Sequence, residues 1–173
     1  MSGKHLSTRR RLLIIKLIVL LLAIGLYTES RAADSGEFSG SWVANGSREN
    51  FPFSDDREVY TFKLAGHVSL ETKLGKKKHY WSECVGLSDT ASGAVARCVW
   101  KDLDGPVIYI TLQSDRLQSD QQVTGTIVGG SEHLEGISGD LSFVWSSISF
   151  QKEGGKSMVS GQTLDLSGSY QLP

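Results

Sequence analysis

What the chain lacks narrows it first. After "FSGSWVANGS" (Phe38 to Ser47) there is almost no apolar periodicity of 3.6 residues, so amphipathic helices are excluded as the main elements. Only two of the 173 residues are cysteine. They are not spaced as Cys-x-x-Cys, which leaves a metal knuckle or redox motif without its local signature. The histidines past the leader (His67, His79 and His133) show no His-x-x-x-His spacing. Neither a Gly-x-Ser-x-Gly elbow nor a Ser/His/Asp arrangement with supporting context occurs. "GGKS" (Gly154 to Ser157) lacks the first glycine of a phosphate loop, because that position is Phe150. "DLDG" (Asp102 to Gly105) brings its glycine too early for a calcium loop and reads as a hairpin turn. No metal and no cofactor are expected.

The first residues read as an address. Lys4, Arg9, Arg10 and Arg11 precede an apolar run from Leu12 to Tyr27, broken once by Lys16. Ser30 and Ala32 stand where a signal peptidase wants small residues, so cleavage after Ala32 is expected. The run is short against the roughly 20 apolar residues of a spanning helix, which sets a retained anchor second. The paired arginines in "TRRRLL" leave a twin-arginine route open beside ordinary secretion.

Removing residues 1–32 changes the charge. The leader holds six of the 18 basic residues and one of the 19 acidic ones, leaving 12 against 18 in residues 33–173. A formal charge of −6 argues against nucleic acid, whose binding rests on neutralising phosphates. It suits one periplasmic or secreted domain, with no membrane contact after the leader is removed.

That domain reads as a run of strands. From Tyr60 one parity carries Tyr60, Phe62, Leu64, Gly66, Val68, Leu70 and Leu74, without a break in phase across Gly66. "VIYITLQ" sets Ile108, Ile110 and Leu112 on one face. "LSFVWSSISF" aligns Leu141, Phe143 and Trp145, then switches to Ile148 and Phe150, which predicts a bulge at Ser146–Ser147. "NGS" at Asn45 reads as a turn, and in a eukaryotic host as a glycosylation sequon. "HYWSECVG" and "GAVARCVW" read as a hairpin centred on Ala91, which sets Cys84 opposite Cys98. Opposed residues of an antiparallel pair stand close enough for a disulfide, and export permits one.

Glycine is abundant where strands should be strongest. "GTIVGGSEHLEGISGDLSF" (Gly125 to Phe143) carries five glycines in nineteen residues. A pattern of apolar, Ser/Thr, Gly, any residue, apolar appears as "FSGSW" at Phe38, "VTGTI" at Val123, "ISGDL" at Ile137 and "LSGSY" at Leu166. Mid-strand glycines let strands coil, and coiling lets a sheet close and lose its edges. The first and last copies lie near the two ends of the domain, so first and last strands are expected to pair. The expected fold is all-β: a closed antiparallel barrel of about eight strands from Phe38 to Leu172, after an N-terminal signal helix. Gly129–Gly130 and Gly136 are expected to form turns.

"GGSEHLEGISG" (Gly129 to Gly139) resembles the glycine-rich signature of bacterial allene oxide cyclase-like barrels, related in shape to dirigent proteins. "CVWKDLDG" (Cys98 to Gly105) is similar to the hairpin upstream of it in that group. Ser131, Glu132 and Leu134 depart from the signature, where Thr, Gly and an aromatic are usual. The resemblance implies a closed barrel with a lumen. It carries over no catalytic residue of the plant cyclases.

Two sets of residues are candidates for function. Glu132 and His133, with Glu135, could form an acid/base cluster at a barrel mouth, and Glu83 is a further catalytic candidate. Such residues are also ordinary solvated loop. Trp42, Trp81, Trp100, Trp145 and Phe143 either fill the barrel or line a cavity for something apolar. The expected function is a non-catalytic module binding a small apolar or amphipathic ligand. The alternatives are a lumenal isomerase or cyclase, and a packed envelope interaction domain without ligand.

Overall fold

Period-two alternation closes into a barrel. A computed structural model describes residues 34–103, 105–115, 120–151 and 156–173, and side chains of 149–151 lie outside that description. The expected leader, Asp104 of "DLDG" and the start of "GGKS" also fall outside it. Eight strands follow in order: β1 (Ser35–Ser54), β2 (Arg57–Thr72), β3 (Lys77–Asp89), β4 (Gly93–Lys101), β5 (Val107–Ser114), β6 (Gln121–Gly130), β7 (Ser138–Gln151) and β8 (Lys156–Gln171). Each pairs antiparallel with its chain neighbour, and β1 pairs with β8 to seal the sheet. Closure leaves no unpaired edge.

The four glycine motifs lie on four adjacent strands. Phe38 stands opposite Gly168 across β1 and β8, Gly168 opposite Leu141 across β8 and β7, and Leu141 opposite Gly125 across β7 and β6. Large and glycine residues therefore alternate around one layer of the lumen. The Phe38 ring occupies the space a side chain at 168 would need, and Trp145 does the same over Gly161. Glycine here is the floor on which an aromatic ring from the next strand lies. At Gly66 the reason differs, because a Cβ would strike the Val43 carbonyl of β1. The strand is continuous through it, as its unbroken parity requires.

Three local expectations are corrected. The β7 phase does not switch through Ile148: Leu141, Phe143 and Trp145 face in, Ser147 continues their row, and Ile148 is exposed. The flip lies on β8, where Ser157 and Thr163 face in on one parity and Leu166 on the other. The extra residue there is near Asp165, which takes φ 55° and shifts register against both β7 and β1. "NGS" is no turn but the middle of β1, with Asn45 paired to Ala65 and Ser160. Gly129 and Gly130 end β6, and the connection to β7 runs through a 3-10 turn, Glu132–Leu134, before Gly136 at φ 81°.

The two barrel ends differ because their inward residues differ in size. Tyr80, Trp100, Phe38, Ile108 and Ile137 are buried at the end that holds both domain termini. Leu134 and Tyr170 pack against them and close that end. The glycine-rich connection is tied down by a reciprocal pair: Ser131 N–H donates to the Val107 carbonyl, and Val107 N–H donates to Ser131 Oγ, both at 2.9 Å. At the other end the inward positions of β3 and β4 are Gly86, Ser88, Ala94 and Ala96. Small residues there leave the lumen open among the described residues.

Candidate functional site

The cavity is a consequence of that asymmetry. It has a volume of about 240 Å³ and opens toward the β1–β2 and β3–β4 turns. Trp42, Phe143 and Trp145 make its floor. The Trp42 and Trp145 rings are 5.0 Å apart, and Phe143 meets Trp42 edge-on at 5.9 Å. Tyr60, Phe62 and Leu64 of β2 form one wall, with Cys84, Ala94 and Ala96 beside them. The lining is mostly apolar, with buried aromatic rings around the void.

Polar groups sit toward the mouth. Gln113, Ser114 and Ser147 line it there, and so does Arg48 of β1. Arg48 is the only charged lining side chain among the described residues, and its guanidinium carbon lies 5.0 Å from the Tyr60 ring centre. Arg48 is hidden in the sequence because "NGS" reads as a turn that interrupts the strand. The signal was present, since Phe38, Gly40, Trp42, Ala44, Gly46 and Arg48 share one parity.

Of the candidate lining residues, the structure brings Trp42, Phe143 and Trp145 together and separates the others. Trp100 is buried at the closed end, where its ring packs at 6.3 Å from Tyr80. Burial, followed by the nearby Asp102 and Tyr170, pushes the Tyr80 hydroxyl above its ordinary range, so it stays neutral. Trp81 is a correction: it lies on the outer wall, 38 % exposed, edge-on to His67. Its parity is opposite to that of buried Tyr80 and Ser82, so an inward pose would reverse the whole strand.

None of the candidate acid/base residues reaches the lumen. Glu83 is on the outer face and accepts a bond from the Trp81 indole N–H at 3.1 Å. Glu132, His133 and Glu135 are exposed on the connection at the closed end, across the barrel from the cavity mouth. No group of three or more His, Cys, Asp or Glu is placed to hold a metal among the described residues.

Two further features frame the site. Cys84 and Cys98 stand directly opposite on β3 and β4 and are joined by a disulfide, with Cys84 in the cavity wall. At the rim, Arg57 holds Asp89 through two donors: Nε reaches both carboxylate oxygens at 2.9 and 3.1 Å, and Nη2 also contacts Oδ2. These bonds, with the Ala91 N–H at 2.8 Å, hold the Asp89 carboxyl well below the usual carboxylate range. The pair clamps the start of β2 to the end of β3 beside the mouth.

The chain matches no family model, no curated protein and no solved structure. No helix among the described residues is long and apolar enough to cross a membrane, which says nothing about strands.

Proposed function

We propose that this protein is a non-catalytic binding module, exported by its leader, that takes a small apolar or amphipathic molecule in its lumen. One observation carries the reading: the lumen is packed at one end and open at the other, with a tryptophan-floored cavity of about 240 Å³. An apolar cavity of about 150 Å³ already holds benzene, so this one suits a ring with a short substituent. The Cys84–Cys98 disulfide is compatible with an oxidising exported compartment. The glycine-rich motif and the eight-stranded closure support membership of the allene oxide cyclase-like barrels, with the ligand role resting on the cavity alone.

The cavity favours the ligand readings over a packed interaction domain. Between binding and isomerisation, the lining favours binding, because no carboxylate or histidine lines it among the described residues. Native mass spectrometry of protein purified from its own host tests the proposal. A co-purifying small molecule is expected, and Ala96→Phe, which fills the cavity, is expected to lose it. Protein without any adduct, and without a tryptophan fluorescence response to small aromatic probes, overturns the reading.

A further inference from the structure

Arg48 has a position that the binding of a purely apolar molecule does not explain. It is half-buried, inward on β1, and at the mouth of a cavity whose floor is aromatic. One face of its guanidinium is covered by Tyr60. The neighbouring carboxylate Glu49 is paired to Lys156 at 3.8 Å, and Asp89 is held by Arg57. Among the described residues no acid pairs with Arg48. A half-desolvated cation without a counter-ion costs free energy that a solvated one does not.

We infer that the ligand is a compact aromatic or short-chain monoanion, its acid group held by Arg48 and its apolar body on Trp42, Phe143 and Trp145. This rests on the binding reading above. The guanidinium is planar and presents five donors in a rigid fork, which matches a carboxylate's two oxygens. Its stacking on Tyr60 fixes the plane of that fork before a ligand arrives, which lowers the ordering cost of binding. Charge complementarity excludes cationic amphiphiles. Volume excludes long chains, since about 240 Å³ is below the usual range of roughly 300–1,000 Å³ for drug-sized ligands.

Tryptophan fluorescence of the purified protein gives the readout, because Trp42 and Trp145 form the floor. The probes are 3-phenylpropionate and its uncharged isostere 3-phenylpropan-1-ol, at 0.15 M salt. The anion is expected to bind about tenfold or more tightly than the alcohol, the usual worth of a charge-assisted bidentate contact. Arg48→Gln is expected to remove that preference, and a far-UV circular dichroism spectrum matching the parent shows that the variant is folded. Arg48→Lys is expected to keep part of it. Equal binding of the two probes, or a preference that survives Arg48→Gln, overturns the anion inference and leaves the binding module standing. Failure of both probes to bind overturns the inference and counts against the binding reading as well.

Discussion

The backbone N–H of Trp42 donates to the side-chain hydroxyl of Thr163 at 2.8 Å, across the seam that closes the barrel. Register between β1 and β8 shifts between Gly40 and Val43, so the ladder skips this donor. Both residues are buried, and Thr163 replaces the missing strand partner. The residue that floors the cavity is thus set in place by the bulge that seals the sheet.

Thr163→Val keeps shape and removes the acceptor. A buried N–H left unpaired costs about 1–3 kcal/mol. Urea denaturation is expected to show a loss of that size, with Thr163→Ser close to the parent. A neutral Thr163→Val would place the acceptor elsewhere.

The Asp89–Arg57 pair predicts the acid limb of stability. Asp89 has a depressed pKa in the folded protein, whereas in the unfolded chain it titrates near 3.9. Its contribution is therefore complete above about pH 4 and is lost as pH falls through that value toward the folded pKa. The denaturation midpoint, followed from pH 7 to pH 2.5, is expected to fall along that limb. Asp89→Asn should be less stable at pH 7 and show a flatter limb. An identical acid profile in the variant would remove Asp89 as its source.

Reducing the Cys84–Cys98 bridge, or replacing both residues with alanine, is expected to cost about 2–4 kcal/mol. The two strands remain paired by their ladders, so far-UV circular dichroism should stay that of a β protein below the melting transition. Loss of all structure on reduction would mean that the bridge, and not the closed sheet, holds the domain together.

Gly161→Ala sets a methyl where the Trp145 indole lies. The ring must move, at a cost of about 1–3 kcal/mol for an overpacked site. A shifted tryptophan emission maximum together with the lower midpoint is the expected signature. A drop in stability without a spectral change would point to the backbone instead.

The all-β class, the disulfide partners, the inward rows of β2, β4 and β5 and the pairing of the first and last strands were legible in the sequence. The inward rows follow from local alternation, because a period of two decides which side chains share a face before any partner strand is known. The disulfide follows from the hairpin centre, and closure from the glycine motif at both ends. Strand parity alone also set Trp100 and Trp145 inward. It could not separate them along the barrel axis, where one packs the closed end and the other floors the cavity. That separation depends on what surrounds them: Tyr80 packs near Trp100, whereas Trp145 lies over Gly161 and shares the cavity lining with small Ala96. The bulge moved from β7 to β8 for the same kind of reason, since an extra residue is defined only against neighbouring strands. Arg48 was hidden by a local turn signal, "NGS", that the continuous β1 ladder overrides. Sequence alone determined the alternation, the glycines and the cysteines. Only tertiary structure decided where the lumen is full and where it is open, because a cavity is a sum over side chains that eight different strands bring to one level.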